Sequence, residues 1–185
     1  MAKQFPKIDT THRAFIEAQH MFFVGTAAES GCVNISPKGM DSLRVMDENR
    51  IVWRNLTGSG NETAGHLREV NRMTLMWCGF ETQPMIMRAY GTARTLHPRD
   101  ESFDALNALF TKSPGARQIY DMQIDMLQTS CGYAVPFYTY EGDRPVLEKW
   151  AEDRGVDEIK TYWKDRNQHT IDGLPTNIIE AADDT

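Results

Sequence analysis

The stretch RIVWRNLTGSGNETAGHL, residues 50–67, joins an apolar run that bears a tryptophan to a helix-like segment through a glycine-rich turn. The apolar run is typical of a buried β-strand. Ser59 and Glu62 fit a capping box, in which the serine caps a helix and the glutamate bonds back to it. Asn61 offers an alternative cap two residues later. The stretch therefore predicts a strand, a turn and then a helix.

The start of this predicted helix offers hydrogen-bond donors to an anion. The first backbone N–H groups of a helix have no partner within the helix, and phosphate commonly binds there. Gly58 and Gly60 would allow the backbone to approach an anion closely, and Asn61 and Thr63 add side-chain donors. An ordinary capped helix after a turn explains the same residues. Glu62 would repel phosphate unless its carboxylate points away.

Alternating apolar and polar residues elsewhere predict a mainly β protein. The predicted strands cover residues 21–27, 32–36, 50–55, 72–80, 85–96, 120–128 and 135–142. The predicted helices cover residues 8–19, 61–70, 99–110 and 144–166, with an irregular tail after residue 167. Most strands follow one another without an intervening helix, which favours an antiparallel barrel with peripheral helices over a doubly wound sheet.

Composition limits the possible functions. A chain of 185 residues that is 41% hydrophobic can form one packed domain, and we expect residues 1–185 to do so. The net charge of -6 argues against non-specific binding to nucleic acid or to an anionic membrane. No apolar run approaches the roughly 20 residues that a membrane-spanning helix needs. Three cysteines without a CxxC motif predict a reduced, cytoplasmic protein.

Common catalytic and metal-binding motifs are absent from the sequence. The five histidines show no zinc-ligand spacing, and neither GxSxG nor a glycine-rich nucleotide motif occurs. Two further segments carry weaker signals. Lys38 ends a predicted strand and could bind phosphate as a point charge, although a solvated turn lysine has the same pattern. Ser130, Cys131 and Gly132 lie at a predicted bend, where a structural cysteine beside a β-bulge is the alternative.

These segments match one known family in order and spacing. The series FFVGTA, VNISPKG, IVWRN, TGSGNETAGHL, RMTLMWCGF and MRAYGTA resembles the pyridoxamine 5′-phosphate oxidase-like, flavin-binding split barrels. The resemblance covers residues 8–174 and is closest to an oxidase-related branch with TGSGNET and QTSCGY motifs. It implies a six-stranded antiparallel split β-barrel that forms a homodimer and binds FMN at the subunit interface.

The resemblance also implies which residues contact the cofactor. The residues of one strand would lie along the flavin ring and reach the phosphate; they are Val33, Asn34, Ile35, Ser36 and Lys38. The residues of the next strand would border the ring; they are Trp53, Arg54 and Asn55. The phosphate-binding turn falls on Gly60, Asn61 and Thr63. Segment 129–133, with Ser130, Cys131 and Gly132, would close the cleft from the partner chain. Relatives place arginine and lysine in the turn, whereas this chain does not, so we expect neutral donors there, with Arg54 as a possible compensating cation.

The resemblance implies an FMN-binding oxidoreductase whose substrate the sequence does not identify. The arginines that bind substrate phosphate in true pyridoxamine phosphate oxidases have no match, so we do not expect vitamin B6 oxidation. Flavin would supply the chemistry, and no residue is predicted as a catalytic acid or base. A non-catalytic flavin-binding or storage module remains an alternative, as does the same barrel with deazaflavin or haem.

Overall fold

A computed structural model describes residues 2–81 and 83–179, which form eight strands and four helices. The strands are β1 (Lys3–Phe5), β2 (Met21–Thr26), β3 (Asn34–Gly39), β4 (Leu43–Val45), β5 (Arg50–Leu56), β6 (Met73–Cys78), β7 (Met85–Leu96) and β8 (Ala116–Cys131). The helices are α1 (Thr10–Glu17), α2 (Glu62–Glu69), α3 (Phe103–Asn107) and α4 (Val146–Arg166).

The strands form one antiparallel sheet in the order β3-β2-β6-β7-β8-β5-β4, and β1 pairs with the far end of β8. The prediction of a mostly antiparallel split barrel is confirmed, but the predicted count of six strands is wrong. Seven strands follow one another along the sheet, because the short segment β4 pairs with β5 at one edge. Three residues are too few for an alternation pattern to reveal that strand in the sequence.

The sheet curls around an apolar core. Phe22 of β2 lies 6.0 Å from Trp53 of β5 between ring centroids, although three strands separate β2 from β5 along the sheet. Leu75 and Met87 fill the interior between them, and Phe15 of α1 covers one opening. Curling of this kind brings the two edges of the sheet, β3 and β4, towards each other.

The longest strand, β8, holds the two halves of the sheet together. It pairs with β7 along one side and with β5 along the other. The register between β7 and β8 shifts at Gly91, where a Cβ atom would lie 1.9 Å from the carbonyl oxygen of Gln123. Only glycine fits where the backbones approach so closely.

The strand predicted over residues 135–142 is wrong. Residues 133–145 form neither helix nor strand, although Tyr138 donates its N–H to the carbonyl of Phe80. Pro136 has no N–H to donate to a sheet, and Phe137, at 84% exposure, packs against no core. The alternating aromatic residues therefore mark an exposed arm, defined here as residues 133–145.

Helix α4 follows the arm and is interrupted at Gly155, whose φ of 70° lies in the region that glycine tolerates. Trp163 of α4 packs with Ile159 and with Ile178 of the C-terminal segment. This small cluster anchors α4 and the tail to the barrel. None of the helices in the described chain is both long and apolar enough to cross a bilayer.

Candidate functional site

The edge strand β3 presents polar side chains on one face. Ser36 donates to Asn34 Oδ1 at 2.9 Å, and Asn34 donates to Thr26 Oγ1 at 3.2 Å and to Thr63 Oγ1 at 3.3 Å. Thr26 in turn contacts Nδ1 of the buried His66 at 3.1 Å. The structure thus brings the predicted residues of β3 together with Thr63 at the start of α2.

The other face of β3 is apolar and exposed. Side chains alternate along a strand, so Val33 and Ile35 point away from the polar row. They are 70% and 69% exposed, respectively. Within one chain these two predicted cofactor residues do not share a surface with Asn34 and Ser36.

Lys38, at the end of the same polar row, spans the gap between β3 and β5. Its Nζ atom donates to Asn55 Oδ1 at 3.2 Å and lies 5.7 Å from the centroid of the Trp53 ring. Asn55 continues the chain of hydrogen bonds to Gln118 at 3.0 Å. Burial, with a smaller contribution from nearby Arg117, lowers the pKa of Lys38 to about 8.

The loop between β5 and α2, residues 57–61, is held from behind. Arg117 donates to the carbonyl of Gly58 at 3.2 Å and to that of Gly60 at 2.9 Å. Asn167 donates to the carbonyls of Gly58 and Ser59 at 3.0 and 3.3 Å. Within the described chain, the N–H groups of Gly58, Ser59 and Gly60 donate no hydrogen bond. Residues 58–60 thus bond to the protein through their carbonyls and leave their N–H groups free.

Helix α2 begins at Glu62 without a capping side chain. The predicted capping box is wrong, while the alternative N-cap position, Asn61, is correct. Asn61 donates instead to the carbonyl of Asn167 at 3.0 Å, because the C-terminal segment lies against the helix start. The Glu62 carboxylate accepts the N–H of Ile171 at 3.1 Å. This carboxylate is thus bonded to the C-terminal segment. An anion site at the helix start requires that the carboxylate be turned away from the anion in this way.

Trp53 and Arg54 support the site from within the protein. Trp53 is buried and stacks on Tyr120 with ring centroids 4.4 Å apart. Arg54 donates to the carbonyl of Thr111 at 2.6 Å and lies over the Phe110 ring. Arg54 therefore bonds to the neighbouring α3–β8 connection rather than to the turn at residues 60–63.

Residues 130–132 lie at the opposite end of β8 from Arg117. Ser130 is 3.5 Å from the Arg88 guanidinium, Cys131 is exposed, and Gly132 donates to the carbonyl of Pro84 at 2.7 Å. About 14 strand residues at ~3.3 Å each separate the two ends. One chain does not bring these residues to Lys38.

A cleft of about 1100 Å³ opens beside Lys38 and residues 57–59. It is larger than the roughly 300–1,000 Å³ of typical small-molecule sites. Two aromatic pairs form its walls. Tyr140 of the arm stacks on His20 with ring centroids 3.6 Å apart, and Trp150 of α4 meets Tyr162 edge to face at 5.4 Å. Among the described side chains, no group of three or more His, Cys, Asp or Glu residues could hold a metal.

Several residues of this region carry no signal in the sequence. Arg117 and Gln118 belong to an uninterrupted strand, and Asn167 follows a helix more than 100 residues after the loop that it contacts. Such pairings leave no local pattern. The aromatic residues at 138 and 140 were visible, but their alternation indicated a strand.

Comparisons with known proteins agree with this architecture. The family model described as "Pyridoxamine 5'-phosphate oxidase" matches residues 8–131. The pyridoxamine 5'-phosphate oxidase family protein ustO of Aspergillus flavus is 35% identical over 177 residues, which cover 85% of this chain and 70% of that protein. This chain therefore belongs to the pyridoxamine 5′-phosphate oxidase family.

Solved structures share the fold at low sequence identity. A variant of HupZ from Group A Streptococcus has a TM-score of 0.55 and 16% identity, over 66% of this chain and 99% of that one. A candidate pyridoxamine 5'-phosphate oxidase from Lactobacillus delbrueckii has a TM-score of 0.54 and 19% identity, over 66% of this chain and 94% of that one. The match to the family model ends at residue 131, before the arm and α4.

Proposed function

We propose that this protein is an FMN-binding oxidoreductase whose phosphate site is formed by Lys38, the free N–H groups of residues 58–60 and the start of α2. The observation that carries the proposal is the position of Lys38. It is half-buried beside a large cleft, and it has no carboxylate partner in the described chain. A cation that is partly removed from water is normally paired, so an anionic ligand fits this place.

The residues present fit FMN. Lys38 and the N–H groups of Gly58 to Gly60 suit a phosphate, with Asn61 and Thr63 at the uncapped start of α2 beside them. Asn34 and Ser36 continue from Lys38 along β3 and could bond to the polar edge of a ring. The side-chain nitrogen of Gln118 is buried without a partner among the described atoms, and it adds a further donor near Asn55.

A bound flavin would supply the redox chemistry. Lys38 and the β3 side chains would hold and orient it. The aromatic walls of the cleft, including Tyr140 and Trp150, exclude water from a bound organic substrate. No side chain is assigned a proton-transfer role.

We further propose a cytoplasmic homodimer with the cofactor at the subunit interface. Val33 and Ile35 expose apolar area on an edge strand, as expected of a surface covered by a second copy. Ser130, Cys131 and Gly132 would then approach the cofactor from the partner subunit. Three free cysteines agree with a reducing compartment.

An absorption spectrum of the purified protein, with mass identification of any released cofactor, tests the proposal. We expect a flavin spectrum and the mass of FMN, together with bleaching by a nicotinamide donor under anaerobic conditions. Bound FMN that no donor in a broad panel reduces would support a non-catalytic flavin-binding module. A colourless protein that does not take up added FMN would overturn the proposal. Release of a deazaflavin or of haem would show that the barrel binds that cofactor instead of FMN.

A further inference from the structure

The phosphate-binding turn of this chain contains a carboxylate and no cation. Residues 60–63 read Gly-Asn-Glu-Thr. A phosphate monoester carries close to two negative charges at neutral pH. Lys38 provides one positive charge, so the remaining positive charge must come from another part of the fold.

Arg117 lies directly behind this turn. It is 2% exposed, and both of its terminal nitrogens donate to the protein: Nη2 to Gly60, and Nη1 to Gly58 and to Asn167 Oδ1 at 2.8 Å. All these acceptors are neutral, and Arg117 makes no ion pair in the described chain. Its Nε atom is buried without a partner among the described atoms. An arginine buried without a carboxylate is unusual, because desolvation of the charge is costly.

Arg117 and Lys38 act on the same region. Both are positive, Arg117 is buried and Lys38 is half-buried, and repulsion from Arg117 contributes to the low pKa of Lys38. Burial also lowers the pKa of Arg117 to about 10, which leaves the guanidinium charged at neutral pH. Two unneutralised cations near one loop create a positive potential that an anion would relieve.

The hydrogen bonds of Arg117 also set the direction of the loop. A carbonyl that accepts from a cation is polarised, which strengthens the dipole of the N–H in the same peptide group, on the following residue. Because Arg117 and Asn167 hold the carbonyls of residues 58–60, the N–H groups of the same loop stay available. Trp163 adds a bond of 2.9 Å to Thr57 Oγ1 at the start of the loop.

We infer that Arg117, held by Asn167, is the positioning residue that supplies the positive charge missing from the phosphate-binding turn. It acts through the peptide groups of residues 58–60 without touching the ligand. The inference rests on the proposed FMN site and deepens it. It also gives α4 and the C-terminal segment, outside the part that matches the family, a role in phosphate recognition.

The test compares FMN with riboflavin, which lacks the phosphate. Affinities for both are measured by fluorescence titration at pH 7 for the wild type, Arg117→Met, Arg117→Lys and Asn167→Asp. Arg50→Met is the matched control, because Arg50 pairs with Asp121 on the sheet, away from the loop. For Arg117→Met and Asn167→Asp we expect the preference for FMN over riboflavin to fall about tenfold or more. Arg50→Met should stay within about threefold of wild type. Arg117→Lys keeps the charge but not the forked donors, so its loss should be smaller than that of Arg117→Met.

The outcomes separate the inference from the proposed function. Wild-type protein that binds neither flavin overturns both. Wild-type protein that prefers FMN, with the same preference in Arg117→Met and Asn167→Asp, overturns only the role of Arg117. Equal losses of FMN and riboflavin affinity also overturn it, since they indicate a structural effect without phosphate selectivity. If Arg117→Met does not fold, the preference of Asn167→Asp for FMN over riboflavin decides the question alone, by the same criterion.

Discussion

Lys38 is the residue whose charge state most directly affects the cleft. Its pKa of about 8 means that it is mostly protonated at pH 7 and mostly neutral at pH 9. A phosphate binds the protonated form better, so affinity must fall as the pH rises through 8. We expect FMN affinity to decrease about tenfold between pH 7 and pH 9, measured by fluorescence titration.

The variant Lys38→Met is the control for this pH dependence. It cannot carry the charge, so we expect weak FMN binding at pH 7 and little further change up to pH 9. A wild-type protein whose affinity is constant over this range would show that Lys38 does not face the phosphate.

Glu62 offers a second test at the scale of one residue. Its carboxylate accepts the N–H of Ile171, so it should not repel a ligand in the cleft. We expect Glu62→Gln, which removes the charge and keeps the shape, to change FMN affinity by less than about twofold. A tenfold gain in affinity would instead place the carboxylate beside the phosphate and argue against this site.

At the scale of elements, substitutions at two glycines distinguish an effect on folding stability from an effect on FMN binding. A methyl group at Gly91 would strike the β8 backbone, whereas one at Gly58 would meet no atom within 4 Å. We expect Gly91→Ala to destabilise the protein by about 3 kcal/mol in denaturant unfolding. Gly58→Ala should leave the stability nearly unchanged and weaken FMN binding, because the methyl group hinders a close approach to the loop. Similar stability of the two variants would contradict the register shift between β7 and β8.

The sequence predicted elements that carry their own pattern. The alternation of residues 85–96 matches β7 at both ends, and the helix start near residue 61 matches α2 within one residue. The alternation of residues 135–142 predicted a strand that does not form, because aromatic spacing alone does not show whether a partner strand is available. The residues of the candidate site also fall into those with a local sequence pattern and those without one. Lys38, Asn61 and Thr63 lie in a recognisable motif, whereas Arg117 and Asn167 reach the loop only through tertiary packing.

At the scale of the whole molecule, the exposed apolar face of β3 predicts self-association. We expect light scattering to give twice the 21.1 kDa mass of one chain. Ile35→Asp should shift the protein to a monomer that has lost most of its FMN affinity, because a charge is costly in an apolar interface. Val156→Asp, at another exposed aliphatic residue on α4, should remain dimeric. A wild-type monomer that binds FMN tightly would contradict the interfacial site.

The central position of β8 has a consequence for folding. Without residues 116–131, the sheet is two separate pieces, β3-β2-β6-β7 and β5-β4, and β1 has no partner. Lys3 pairs with Thr129, and Arg50 pairs with Gln123, so neither pair can form before β8 is available. Contacts between such distant residues slow folding, because a long loop must close before any of them forms. A nascent chain on the ribosome therefore cannot complete its barrel until β8 has emerged, and the same strand then delivers Arg117 to the loop.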